Sequence, residues 1–128
     1  MKKILKSTFL YALILAGGLG IGYIIPRVPE WLKPAYTEGN YAAYYPNAET
    51  KVVMYGTKWC AYCKKTREYL TEKNIPFLDI DIEDSVPGAA QFKALGGGSI
   101  PKVLIGERQI IGFKPDVLSD AWKIISKK

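Results

Sequence analysis

The sequence contains no histidine and only two cysteines, Cys60 and Cys63. Without histidine the chain can form neither a Ser-His-Asp triad nor a Cys-His pair, and no metal site can use an imidazole ligand. One cysteine pair cannot supply the four ligands of a structural zinc site, so no metal site is expected within one chain. Runs of lysine and arginine are missing from residues 48–128, although the formal net charge is +6, and nucleic-acid binding is therefore not expected.

The first 25 residues differ in composition from the rest of the chain. Three lysines occur within residues 1–6, and residues 7–25 carry no charge. A helix of that uncharged length would span roughly 28 Å, close to the hydrocarbon thickness of a bilayer. Because the lysines precede the uncharged run, the pattern predicts a transmembrane signal-anchor over residues 1–25, with the C-terminal domain on the extracytoplasmic (periplasmic) side of the membrane.

Two alternatives to the signal-anchor remain open from the sequence. A cleaved signal peptide begins with the same basic and apolar pattern, but no small-x-small cleavage site follows Ile25. An anchor inserted in the opposite direction would leave a cytosolic enzyme, and the lysines at the amino end argue against that orientation.

Residues 26–50 are predicted to form a linker. Pro26, Pro29, Pro34 and Pro46 should break any regular element there. The same segment is rich in tyrosine. These rings either pack against the following domain or bind a partner, and the sequence does not separate the two.

Residues 51–128 read as one compact α/β domain. Apolar periodicity, prolines and glycines predict strand, helix, strand, helix, strand, strand and helix over residues 51–55, 61–73, 77–82, 87–95, 102–105, 109–111 and 115–125. A helical crossover should make the first two strands parallel, and the short turn at Gly106 should make the last two a hairpin.

The two cysteines fall where the first predicted strand gives way to the first predicted helix, in the run Trp59-Cys60-Ala61-Tyr62-Cys63. A thiolate at Cys60 would be stabilised by the free N–H groups and the positive end of that helix. Cys63 lies one turn later on the same face and should be more buried. These positions predict that Cys60 attacks a disulfide and that Cys63 resolves the mixed disulfide. A structural disulfide is less favoured, because so short a loop removes little chain entropy.

Ser99-Ile100-Pro101 is the second feature of interest, since it follows a glycine run and begins a predicted strand. Pro101 could follow a cis peptide bond that turns the backbone of Ile100 toward Cys60, or it could simply begin an edge strand in the trans form. The pattern alone leaves both forms open.

Taken together, residues 51–122 resemble the glutaredoxin branch of the thioredoxin fold. The resemblance rests on Cys60-x-Tyr62-Cys63, on Ser99-Ile100-Pro101 in place of the family's Thr-Val-Pro, and on the turn at Gly112. It implies a four-stranded mixed sheet flanked by three helices, a cis Pro101 and exchange chemistry at Cys60. The resemblance implies that Cys60 and Cys63 are the catalytic residues. The candidate substrate-binding residues around them are Lys58, Trp59, Tyr62, Ser99, Ile100, Pro101, Gly112, Phe113 and Asp116.

Three departures from the family pattern bear on the substrate. Ala61 stands where the family usually has proline. Thr57 stands where glutathione-binding members often carry lysine, with Lys58 one position late. Phe113 replaces the second glycine of a Gly-Gly-x-Asp-Asp motif, of which Asp116 is retained. The Gly-Phe-Lys-Pro-Asp run is more similar to the glutaredoxin-like electron donors of ribonucleotide reductase, which use glutathione poorly.

Together with the predicted anchor, the resemblance implies a membrane-tethered thiol-disulfide oxidoreductase. It would need no cofactor, would use glutathione at most as a co-substrate, and would act as a monomer on protein or glutathione mixed disulfides with an unidentified electron donor. The alternative is a non-catalytic module of the same fold that binds a shared iron-sulfur cluster or a partner protein.

Overall fold

The computed structural model describes residues 2–24 and 34–128. The chain divides into two compact units, Met1–Pro34 and Ala35–Lys128. Residues 26–33 of the predicted linker lie outside the described residues.

The first unit contains helix α1, Lys2–Ile24. Within residues 2–24 and 34–128, no helix combines the length and the apolar character needed to cross a membrane. Three lysines lie in the first five positions of α1, which leaves 18 uncharged residues, 7–24, of its 23. This finding overturns the predicted transmembrane anchor and the extracytoplasmic location of the C-terminal domain.

The second unit is built on a mixed five-stranded sheet in the order β1-β5-β4-β2-β3. Strands β2 and β3 are parallel and every other neighbouring pair is antiparallel, as the crossover and the hairpin predict. The strands are β1 Thr37–Glu38, β2 Val52–Gly56, β3 Leu78–Asp81, β4 Lys102–Ile105 and β5 Arg108–Ile111.

Three helices complete the second unit: α2 Ala61–Glu72, α3 Val86–Ala94 and α4 Pro115–Ser126. Each begins where the sequence supplies a start signal. The Cys60 side chain caps α2, Ser85 Oγ accepts a hydrogen bond from the Gly88 N–H at 3.0 Å to cap α3, and Pro115 opens α4. The helix and strand order predicted for residues 51–128 is confirmed.

Apolar side chains alternate between the two faces of the sheet. One core cluster places Met54 and Val103 with Leu70 of α2 and Leu118 of α4, and it includes both cysteines. The opposite face buries Val53, Tyr55 and Leu104. The cysteine pair is thus set in the larger of the two cores, at the carboxyl end of the parallel strand β2.

The structure corrects the strand count from four to five. Strand β1 and a 3-10 turn at Ala42–Tyr44 lie within residues 26–50, for which the sequence predicts no regular element. Thr37 pairs with Gln109 and Glu38 with Arg108 of β5. A strand of two residues has no periodicity to detect, which is why sequence patterning misses it.

Candidate active site

Cys60 occupies the N-cap position of α2, just after the loop that leaves β2. Its backbone is extended, with φ −77° and ψ 115°, and its sulfur accepts a hydrogen bond from the Cys63 N–H at 3.2 Å. The side chain is 8% exposed. Its sulfur therefore accepts one of the N–H groups of the first helical turn that have no partner within the helix.

Cys63 lies one turn further into α2 and is fully buried. The pKa of the Cys63 thiol is raised to about 11, mainly by burial and next by its hydrogen bond with Cys60, while a backbone hydrogen bond with Thr57 and the positive charge of Arg67 act in the opposite direction. Cys63 is therefore held as a neutral thiol at physiological pH. The structure brings the two sulfurs together as neighbours of unequal exposure.

The raised pKa of Cys63 makes the stability of the reduced protein depend on pH. The thiol pKa is raised in the folded state from 9.0 to about 11, so between these values the folded protein holds a proton that the unfolded chain releases. We expect the free energy of unfolding to fall as the pH rises from 9.0 to about 11. Urea titrations of the reduced protein across this range measure the slope.

Cys63→Ala is the matched control for this titration. Tyr45 and Tyr55, whose pKa values burial raises to about 12, also titrate at alkaline pH in both proteins, so only the difference between the two curves belongs to Cys63. Equal slopes in the two proteins would contradict the assignment of a strongly raised pKa to this thiol.

The end of β2 leaves little room beside the Cys63 sulfur. Gly56 is fully enclosed, and a Cβ atom added there would lie 2.9 Å from Cys63 Sγ and 3.2 Å from Met54 Cε. Glycine at this position lets the strand approach the sulfur closely.

Two exposed residues that precede Cys60 are held by the loop after β3. The Trp59 indole N–H donates to Glu83 Oε1 at 2.8 Å, and the Lys58 ammonium pairs with Asp84. The hydrogen bond to Asp84 raises the pKa of Lys58. Sequence reasoning missed both Glu83 and Asp84, because nothing in a local pattern indicates that the β3–α3 loop meets the cysteine loop.

The remaining residues on the outer face of α2 are exposed. Tyr62 is 60% exposed, and Lys65 lies over its ring at 5.3 Å from the centroid. Lys64 pairs with Glu68 at 3.9 Å on the helix surface. Two exposed aromatic rings, Trp59 and Tyr62, therefore lie close in sequence to the largely buried Cys60.

The bond between Ile100 and Pro101 is cis, one of the two forms that the sequence leaves open and the one that the resemblance implies. Ile100 packs against the core cluster that contains both cysteines, Pro101 is buried, and Ser99 is exposed. The Pro101 carbonyl accepts a hydrogen bond from the Gly112 N–H at 2.8 Å, so Gly112, whose φ is +84°, fixes the end of this loop.

The other two residues of the Gly112 turn have different neighbours. Phe113 packs edge-on against Tyr69, with ring centroids 6.0 Å apart. Asp116 is exposed in the first turn of α4. Among the hydrogen bonds, ion pairs and ring contacts of the described residues, none joins Phe113 or Asp116 to either cysteine. The described part of the chain also contains no group of three or more carboxylate or thiol ligands that could hold a metal ion.

Comparison with known proteins places this site in a family. The glutaredoxin family model matches residues 52–110. An uncharacterized glutaredoxin-like 8.6 kDa protein of Clostridium pasteurianum is 36% identical over 63 residues, which cover 48% of this chain and 84% of the relative. A glutaredoxin of Pseudomonas aeruginosa is 31% identical over 62 residues, covering 48% of this chain and 74% of the relative.

Solved structures agree with the sequence relatives. A crystal structure of a glutaredoxin from Archaeoglobus fulgidus is 24% identical and superposes with a TM-score of 0.52, covering 65% of this chain and 94% of that one. At this identity the likeness concerns the fold, which is thioredoxin-like.

Proposed function

The chain belongs to the glutaredoxin family, and on that premise we propose that it is a thiol-disulfide oxidoreductase that works through Cys60 and Cys63. The Cys60 thiolate attacks one sulfur of a substrate disulfide, forms a mixed disulfide and releases the other substrate sulfur as a thiolate that takes a proton from water. Cys63 then loses its proton and attacks the Cys60 sulfur. This second step releases the substrate's remaining thiolate and leaves a Cys60–Cys63 disulfide, so two electrons have passed to the substrate.

The observation that carries this proposal is the unequal pair of neighbouring sulfurs. Cys60 is partly accessible and accepts an N–H hydrogen bond, while Cys63 is fully enclosed and neutral. A sulfur in a residue that retains 8% exposure, next to one that is fully buried, fits attack followed by resolution. The two sulfurs carry the electrons themselves, so the reaction needs no cofactor, and an external thiol or dithiol donor restores the reduced pair.

We further propose a protein disulfide rather than a glutathione mixed disulfide as the principal substrate. Thr57, which replaces the lysine of glutathione-binding relatives, is 1% exposed and cannot present a charge. The neighbouring Lys58 is engaged by Asp84. The exposed rings of Trp59 and Tyr62 offer the apolar contact that a polypeptide can use.

A turnover assay with two disulfide substrates tests this function. With dithiothreitol as the donor the protein should reduce insulin disulfides, and it should reduce a mixed disulfide between a peptide and glutathione at least about tenfold more slowly, a difference of roughly 1.4 kcal/mol in transition-state stabilisation. No reduction of either substrate would refute the oxidoreductase function. Faster turnover of the glutathione mixed disulfide would refute the substrate preference alone.

The reduction potential of the Cys60–Cys63 pair gives the direction of electron flow. A potential near about −270 mV, the region of thioredoxin, would support a reductase. A potential near about −120 mV would instead support an oxidase or isomerase.

A further inference from the structure

Lys102 is the first residue of β4, directly after the cis peptide bond, and its side chain is buried to 1% exposure. Lysine is almost never fully buried without a partner for its charge. In the part of the chain that the structure describes, no carboxylate forms an ion pair with it, and burial lowers the pKa of Lys102. The burial of the Lys102 side chain therefore requires a physical explanation.

Neutral groups from one segment satisfy the Lys102 ammonium. Its Nζ donates to the Gly97 carbonyl at 2.7 Å and to the Leu95 carbonyl at 3.1 Å, and it lies 4.6 Å from the centroid of the Phe92 ring. The Leu95 carbonyl belongs to the C-cap residue of α3, and the Gly97 carbonyl belongs to the loop that follows it. A positive charge at a helix carboxyl end is favourable, because the carbonyls there lack partners within the helix.

Few contacts other than those of Lys102 hold the loop after α3. Gly96, Gly97 and Gly98 all have positive φ, at +97°, +55° and +80°, and the space where each Cβ would lie is empty. The Gly96 and Gly97 N–H groups bond back to α3, and the Gly97 carbonyl bonds to Lys102. Three glycines in a row have large conformational freedom, so such hydrogen bonds decide where the chain lies.

This loop runs directly into the residues beside the cysteines. Ile100 packs against the core cluster that contains Cys60 and Cys63. Lys102 pairs with Tyr55 across the β2–β4 ladder. Gly56, the residue after Tyr55 in β2, adjoins the Cys63 sulfur. A displacement of residues 97–99 would therefore be transmitted to the backbone next to the reacting sulfurs.

We propose that Lys102 is a positioning residue for the substrate: by holding the Gly97 carbonyl it fixes the backbone of residues 98–100, along which an extended peptide carrying the target disulfide docks. The proposal rests on the oxidoreductase function. It assigns Lys102 no contact with the reacting atoms. Its effect should therefore fall on the binding of polypeptide disulfides and not on the intrinsic reactivity of Cys60.

The test compares Lys102→Met with wild type on a polypeptide and a small disulfide. Loss of charge-assisted hydrogen bonds should raise the KM for insulin about tenfold. The kcat for insulin and the second-order rate with 5,5′-dithiobis(2-nitrobenzoate), which has no peptide to dock, should each change by less than about twofold. Lys102→Arg, which keeps the charge and the donors, should restore the KM at least in part. Equal losses with both disulfides, or an unchanged KM in folded Lys102→Met, would overturn the proposal.

Gln109→Met is the matched control. Gln109 is also buried, and its Nε2 donates to the same Leu95 carbonyl at 3.4 Å, but it does not reach Gly97. This variant should leave the KM for insulin within about twofold of wild type, since it loses only a weak helix-end contact. A KM rise equal to that of Lys102→Met would assign the effect to the end of α3 and overturn the role of the Gly97 contact.

Amide hydrogen exchange separates this proposal from the oxidoreductase function. In Lys102→Met the N–H groups of residues 98–100 should exchange about tenfold faster, while those of α2 should not. If Lys102→Met fails to fold, Lys102→Gln, which can still reach one carbonyl, should show the same local change. Unchanged exchange in the folded variant overturns the proposal. Faster local exchange in a protein that reduces no disulfide refutes the oxidoreductase function and leaves only the loop contact.

Discussion

Cys60→Ser is expected to abolish disulfide exchange. The one remaining thiol, Cys63, is fully buried, and its pKa of about 11 leaves roughly one molecule in ten thousand ionised at neutral pH. Serine at the helix cap cannot form a mixed disulfide. We expect insulin reduction and alkylation by iodoacetamide both to fall by about a thousandfold or more, since the thiolate is the nucleophile in both reactions.

Cys63→Ser is the matched variant, and it should fail in a different way. Its Cys60 sulfur still lies at the start of α2, so the first attack should proceed and the mixed disulfide should accumulate because no second sulfur resolves it. Mass spectrometry of the protein after incubation with a peptide disulfide detects the trapped adduct. An active Cys60→Ser together with an inert Cys63→Ser would reverse the two roles.

Gly56→Ala should have the second largest effect, on both stability and resolution. A Cβ there would lie 2.9 Å from the Cys63 sulfur, closer than such atoms pack, so the buried sulfur or the strand must move. Overpacking of this kind costs about 1–3 kcal/mol of unfolding free energy. Displacing Cys63 from Cys60 should also prolong the mixed disulfide, while the rate at which iodoacetamide alkylates Cys60 stays close to wild type.

A double-mutant cycle isolates the contact between Gly56 and the sulfur. In a Cys63→Ala background the atom that the new methyl group would meet is gone, so Gly56→Ala should cost far less stability than in the wild-type chain. Urea denaturation of the four reduced proteins gives the coupling free energy. Equal costs in the two backgrounds would show that the penalty arises elsewhere in the strand.

The elements around the cysteines could be predicted because each is specified locally. An apolar β-branched run precedes Cys60, helical periodicity follows it, and Pro115 marks the start of α4. The cis form of the Ile100–Pro101 bond came from the family resemblance, since the pattern itself fitted either isomer. Local signals predict where the helices and strands begin and end, and the family resemblance predicts the isomer of the Ile100–Pro101 peptide bond.

What the sequence could not predict depends on contacts between distant side chains. Glu83 and Asp84 lie more than twenty residues from Trp59 and Lys58, and the burial of Lys102 depends on where α3 ends. An isolated charged residue is expected at the surface, so nothing local marks Lys102 as buried. The membrane prediction, which rested on the uncharged run of residues 7–25, was wrong, since no helix of the described residues is long and apolar enough to cross a membrane.

The two outermost strands bear on how the protein behaves at high concentration. At one border of the sheet β1 is only two residues long, and at the other β3 carries Asp79 and Asp81. A short edge strand offers few free backbone groups to the strand of a second molecule. Acidic side chains on the other edge strand repel the same side chains of a second copy, which opposes edge-to-edge pairing. We therefore expect the reduced protein to resist amyloid-like aggregation, so that the long incubations needed to trap slow adducts can be carried out without loss of material.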